Sequence, residues 1–98
     1  MSFTIFITDE ADIEIENAFD WYEEQQEGLG KRFIIHLEEA YNLILDFPFG
    51  FPARRKDYRE CFLGVFPFVV IYRVVNNKII IHKVFHASRN PKRKKQAK

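Results

Sequence analysis

The sequence has little cysteine, glycine or proline, and it contains no long apolar run. A single cysteine, Cys61, excludes an internal disulfide framework and a zinc cluster built on thiolates. Four glycines and four prolines exclude collagen-like and low-complexity chains. No apolar stretch approaches the ~20 residues that a membrane-spanning helix needs. The first residues also lack the basic segment of a signal peptide. We therefore expect a cytoplasmic protein without a membrane partner.

The composition is that of one folded domain. Hydrophobic residues make up 47% of the chain and charged residues 30%, which excludes wholesale disorder. A length of 98 residues is sufficient for one modest hydrophobic core. We expect a single domain over residues 1–90, followed by a basic tail over residues 91–98.

Charge is divided unevenly along the chain. Residues 1–30 carry nine acids and no lysine or arginine, whereas residues 61–98 carry nine bases and no acid. The net charge of +1 conceals this division. The basic half suits an anionic partner, and the acidic half would repel one. The simpler interpretation is two solvated regions of opposite sign.

Hydrophobic periodicity predicts one strand followed by two helices. Residues 3–7 are rich in aromatic and β-branched side chains, which favours a strand. Thr8 or Asp9 can cap the first helix, which should end where Gly28 takes the left-handed C′ position. Trp21 lies off the apolar stripe of this helix. The second helix should begin after Gly30 and end before residue 48, a proline, with Ile35 widening its apolar stripe.

Three further strands are predicted after a proline-containing loop over residues 47–57. They cover residues 58–63, 66–75 and 78–86, and Asn76-Asn77 favours a type I′ turn between the last two. The fold class is therefore α+β, in the order β-α-α-β-β-β, with a helical hairpin on one face of a small antiparallel sheet. Residues 66–75 are apolar on both strand faces. A partner protein, a second copy in a homodimer, or the loop and tail must cover the second face.

The basic residues form the candidate target-binding set. If antiparallel hairpins bring the loop and the tail to one rim, these residues can contact phosphates or an acidic protein surface. A basic surface without a dedicated target is the alternative. The set consists of Arg54, Arg55, Lys56, Arg59, Arg89, Lys92 and Arg93.

The sequence predicts neither a metal site nor a cofactor. His82 and His86 lie four residues apart on a predicted strand, about 13 Å, so they cannot share one ion. Cys61 lies in an apolar strand and is expected to be a core residue. Phosphate-binding glycine loops and hydrolase motifs are absent from the sequence.

Three parts of the chain resemble the RelE/ParE toxin superfamily. The first is Trp21-Tyr-Glu-Glu-Gln with Gly28-Leu-Gly-Lys-Arg-Phe, the second is residues 48–52 with residues 66–74, and the third is residues 84–91. The resemblance implies the same β-α-α-β-β-β fold. It also implies a bacterial, growth-inhibiting toxin of a type II toxin–antitoxin or plasmid stabilisation system. A small cognate antitoxin would neutralise it.

The superfamily divides into two branches, and the resemblance implies a different target for each. ParE-like members act on DNA gyrase, whereas RelE-like members cut mRNA on the ribosome with basic residues that position phosphate. Val69 falls near the position where the ribonuclease branch carries a phosphate-contacting arginine, and no tyrosine follows Tyr72. These departures favour the gyrase-directed branch.

Two alternatives to a gyrase-directed toxin stay open on the sequence. One is an enzyme, a ribosome-dependent mRNA endoribonuclease in which Arg73, His86 and Arg89 would carry the reaction. The other is a degenerate, non-toxic module that only binds its antitoxin.

Overall fold

The computed structural model describes residues 2–88, and within them two helices pack on one face of a four-stranded sheet. The order β-α-α-β-β-β and the α+β class predicted from the sequence are confirmed. The elements are β1 (Thr4–Ile7), α1 (Asp9–Gln25), α2 (Leu29–Asp46), β2 (Arg59–Phe62), β3 (Phe68–Val75) and β4 (Lys78–His86).

The sheet has the strand order β1-β4-β3-β2. β3 is antiparallel to β2 and β4, as predicted, but β1 is parallel to β4, so the sheet is mixed. A parallel pair requires a long connection, and here α1, α2, β2 and β3 all intervene between the two strands. β4, the last strand within residues 2–88, therefore lies in the interior of the sheet, beside β1.

A bulge divides β4 into two halves. Ile71 pairs with Lys83 and Tyr72 pairs with Ile81, which leaves His82 as the extra residue. β1 pairs only with residues 78–81, before the bulge. Beyond the bulge, α1 runs beside β4, and the Glu14 carboxylate accepts a hydrogen bond from the Val84 backbone N–H at 2.7 Å. A helix side chain thus replaces a neighbouring strand along this edge.

The two helices are capped by different means. Thr8 caps α1 as predicted, its hydroxyl accepting from the Ala11 N–H at 3.1 Å. Gly28, predicted to close α1, instead precedes α2 as its N-cap with φ 86°. The Glu23 carboxylate accepts from the N–H groups of Gly28 at 3.2 Å and Gly30 at 2.8 Å. These bonds lower the pKa of Glu23 and allow α2 to begin earlier than predicted.

The hydrophobic core lies between the helical hairpin and the sheet. Four aromatic rings, of Tyr22, Phe33, Phe66 and Phe68, pack against one another within it. Cys61 is buried here as predicted, and burial raises the pKa of its thiol to about 11. The prediction for Ile35 is wrong, because its side chain is exposed outside the α2 stripe.

The β3–β4 turn has the predicted length but a different backbone. A type I′ turn requires positive φ at both central residues. Asn76 has φ 58°, but Asn77 is not among the residues with positive φ. The signs of φ are therefore those of type II′.

Candidate functional site

A small hairpin over residues 53–59, here called the basic hairpin, presents the predicted loop cations. Ala53 pairs with Arg59 across its base. At its tip, the Tyr58 N–H donates to the Arg55 carbonyl at 2.9 Å, and the two residues between them have φ 51° and 70°. This is the φ pattern of a type I′ turn, which the sequence analysis had placed at residues 76–77. The turn fixes the cations at one end of β2.

The cations of the basic hairpin differ in whether they form ion pairs or hydrogen bonds within the described domain. Arg54 Nε lies 3.3 Å from the Glu60 carboxylate. The Arg59 guanidinium donates to two carbonyl oxygens of the preceding loop, at 3.2 and 2.7 Å, and so holds that loop against the sheet. Arg55 and Lys56 are exposed and form no ion pair within residues 2–88. They are the hairpin cations best placed to meet a partner.

The proline-containing loop is also anchored by Tyr72. The buried Tyr72 hydroxyl donates to the Pro48 carbonyl at 2.8 Å, and burial raises the pKa of Tyr72 to about 12. No local sequence signal predicts this role, because the two residues are far apart along the chain. The loop that carries the basic hairpin is therefore fixed by two side chains from the sheet.

An apolar groove of about 320 Å³, here called the α1–β4 groove, lies between α1 and the second half of β4. Trp21 is 42% exposed on its wall and packs edge-on against Tyr22, in keeping with its predicted position off the apolar stripe. The groove is lined by Glu14, Asn17, Ala18, Trp21, Phe68, Val84, Phe85 and His86.

A lysine between two acids joins α1 to β4 beside this groove. Lys83 Nζ lies 2.6 Å from the nearer carboxylate oxygen of Glu10 and 3.5 Å from that of Glu14. The hydrogen bond to Glu10 raises the pKa of Lys83 and lowers that of Glu10. Lys83 thus pairs with both of these α1 acids and balances one of their two negative charges.

The sheet face turned away from the helices, here called the open face, carries a polar cluster. The Arg73 guanidinium lies 5.3 Å from the Tyr58 ring centroid, and the His82 ring lies 5.2 Å from it. Arg73 Nε and His82 Nε2 are buried without a hydrogen-bond partner in the described structure. Burial, and then the neighbouring guanidinium, lower the pKa of His82. The sequence analysis considered His82 only as a metal ligand.

The residues of the nuclease alternative do not converge within residues 2–88. Arg73 lies on the open face. His86 pairs with Phe68, and its ring packs against Phe68 beside the α1–β4 groove. Positions 68 and 73 are about 17 Å apart along β3. Arg89, the third residue of that set, lies outside the described residues.

The basic hairpin and the end of the described chain lie at opposite ends of β3. Arg59 pairs with Tyr72, whereas His86 pairs with Phe68, about 13 Å away along the strand. The described residues therefore do not bring the loop cations to the point where the tail begins. The tail members of the predicted target-binding set, all outside the described residues, are Arg89, Lys92 and Arg93.

Neither a metal cluster nor a membrane-spanning helix is found in residues 2–88. Their His, Cys, Asp and Glu side chains form no group of three that could hold an ion. Both helices are too short or too polar to cross a bilayer.

The fold and these surfaces define a class of protein, a small α+β domain with two helices on a four-stranded sheet and with exposed cationic and apolar surfaces. The family model for the ParE toxin of the type II toxin-antitoxin system, parDE, matches residues 5–91. The chain therefore belongs to the ParE toxin family.

A solved structure and a search of curated proteins complete the comparison. The chromosomal ParDE TA system from P. aeruginosa has a similar fold, with a TM-score of 0.76 and 17% sequence identity. The match covers 87% of this chain and 96% of that chain. The search of curated proteins found no match.

Proposed function

We propose that this ParE-family toxin inhibits DNA gyrase and is neutralised by a cognate antitoxin. The observation that carries the proposal is the family match, which spans residues 5–91 and so includes both described helices and all described strands apart from Thr4, the first residue of β1. The depleted ribonuclease pattern, with Val69 in place of an arginine, supports the same branch.

The basic hairpin is the proposed gyrase-binding surface. Arg55 and Lys56 are exposed at the tip of a tight turn, so little backbone conformational entropy is lost when they bind. Arg54 contributes beside them, and Arg59 positions the hairpin through its bonds to the loop carbonyls. The proposal extends to the tail cations Arg89, Lys92 and Arg93.

The α1–β4 groove is the proposed principal docking surface for the antitoxin. Its walls are mostly apolar, with Glu14, Asn17 and His86 among the lining residues, and Trp21 is half-exposed at its side. Such a groove suits an amphipathic or extended segment with apolar anchors. In this arrangement the antitoxin and gyrase contact different parts of the chain.

A ribosome-dependent mRNA endoribonuclease is the competing function. Arg73 and His86 face different sides of the sheet, so they cannot act on one phosphodiester without rearrangement.

The decisive experiment induces expression and measures growth, the DNA damage response and transcript integrity. Growth arrest with DNA damage and intact transcripts supports the proposal. Cuts mapped in translated mRNA would support the nuclease, and unimpaired growth would support the degenerate module.

A supercoiling assay with purified gyrase tests the basic hairpin. Arg55→Glu with Lys56→Glu should raise the toxin concentration for half-inhibition by roughly tenfold or more, because two interfacial charges are reversed. Lys31→Glu with Arg32→Glu is the matched control, since both residues are exposed on α2. Equal losses in both double variants would attribute the effect to net charge alone and contradict this assignment.

A further inference from the structure

We propose that Arg73, His82 and Tyr58 on the open face form a subsite for a single carboxylate side chain of the antitoxin. This inference rests on the proposed function, which supplies the antitoxin as partner. It adds a second contact region, on the side of the sheet away from the helices.

The first argument is an unsatisfied hydrogen-bonding requirement. Arg73 Nε and His82 Nε2 are buried, and neither has an acceptor or donor among residues 2–88. Buried polar nitrogens in folded proteins are almost always paired. Arg54 and Lys83 each have a carboxylate partner, whereas Arg73 has none in the described chain. An added oxygen acceptor would satisfy the cluster.

The second argument is the local arrangement of rings and charge. Arg73 and His82 lie against the same Tyr58 ring, at 5.3 and 5.2 Å from its centroid. The bulge in β4 introduces His82 at this point. A guanidinium binds a carboxylate through two parallel hydrogen bonds, and the flanking ring holds its plane. The cluster therefore matches one planar anion.

The third argument concerns what surrounds the cluster. Arg73 pairs with Ile80, and Ile80 pairs with Phe6, which is 48% exposed. The cation thus stands at one end of an apolar row that crosses the sheet. Protein interfaces characteristically combine buried apolar contacts with an arginine anchor. A protein segment with one acid among apolar side chains fits this row.

Charge complementarity favours a single carboxylate over a nucleic acid. Glu10 is close enough to His82 to act on its pKa, and Glu60 lies on the neighbouring strand β2. A phosphodiester chain carries a charge at every nucleotide and would meet these acids. One carboxylate brings a single negative charge, which Arg73 can balance, and so meets less of that repulsion.

The experiment uses the full-length chain and the protein encoded by the adjacent reading frame. Affinity is measured for wild type, Arg73→Gln, Arg73→Lys and the control Arg32→Gln, which is exposed on α2. Arg73→Gln should weaken binding by roughly 10- to 100-fold, because a hydrogen-bonded charge pair contributes about 1.5–3 kcal/mol. Arg73→Lys keeps the charge but loses the paired geometry, so an intermediate loss is expected. The control should match wild type.

A second measurement on the unaltered protein guards against misfolding of the variants. The His82 titration is followed by NMR, free and bound. His82 faces Tyr58, Arg73 and the acid Glu10, with Lys83 next to it in the chain, so an added carboxylate should move its titration to higher pH. An unmoved titration, or Arg73→Gln binding within twofold of wild type, would overturn the subsite alone. A wild-type chain that does not bind would overturn the antitoxin proposal and the subsite together. Gyrase inhibition, measured separately, is unaffected by either result.

Discussion

The two faces of the sheet differ in how completely the chain's own residues cover them and supply hydrogen-bond partners to their buried polar groups. At the helix-covered face, Phe33 of α2 and Tyr72 of β3 are fully buried, and the Tyr72 hydroxyl has its acceptor on Pro48. On the open face, Arg73 and His82 retain buried nitrogens without partners. The open face therefore offers the proposed partner two buried nitrogens to satisfy.

Strand β3 shows the same difference along its length. Its residues towards the helices are almost all buried, whereas those on the open face become more exposed from Val69 through Ile71 and Arg73 to Val75. The sequence predicted that something must cover the second face of this strand. The protein's own chain covers the Val69 end, so only the Arg73 end is left accessible to the proposed partner.

The largest expected loss of stability comes from comparing a phenylalanine packed under the helices with one on the open face. Phe33→Ala removes a fully buried ring from the aromatic core and should lower the free energy of unfolding by about 3–5 kcal/mol. Phe6→Ala removes a ring of the same size that is 48% exposed, so its loss should be much smaller. Urea denaturation of both variants measures the difference. Equal losses would show that the open face is as much a part of the core as the covered one.

A smaller loss of stability is expected when the Tyr72 hydroxyl is removed, with the Tyr41 hydroxyl as the comparison. Tyr72→Phe leaves the buried Pro48 carbonyl without its donor and should cost about 1–3 kcal/mol of stability. Tyr41→Phe is the matched control, because its hydroxyl is buried without a hydrogen-bond partner in residues 2–88. That change should be neutral or stabilising.

Thermal unfolding of the two tyrosine variants separates these cases. A Tyr41→Phe variant as unstable as Tyr72→Phe would mean that the loss comes from ring packing rather than from hydrogen bonding. Loosening of the proline-containing loop in Tyr72→Phe alone would confirm the anchoring role of the Tyr72 hydroxyl.

Local patterns predicted the helices, the Thr8 cap and the burial of Cys61. These features depend on neighbours within a few residues, which periodicity and capping preferences report directly. The parallel pairing of β1 with β4 could not be predicted in this way, because its partners lie about 74 positions apart and their pairing is decided by packing.

The candidate site was harder to predict, because its chemistry depends on which partners the fold supplies. In the sequence Arg59 is one of several loop cations available to a target. In the structure its guanidinium donates hydrogen bonds to two loop carbonyls. His82 reads as a strand residue, but the bulge places it beside Arg73. Neither the bulge nor the carbonyl contacts leave a local sequence signal. The charge division alone therefore overestimated how many cations are available to a target.

The smallest expected effect tests the open face through pH. Folding lowers the pKa of His82, chiefly by burial and then through Arg73. The folded state therefore resists protonation that the unfolded chain accepts near its ordinary pKa of about 6.5. Stability is retained above that value and should fall as the pH drops below it. His82→Phe keeps a ring against Tyr58 but cannot titrate, so its melting temperature should fall less than that of wild type between pH 7.5 and 5. Parallel curves for the two proteins would contradict a depressed His82 pKa and imply that water already satisfies the cluster.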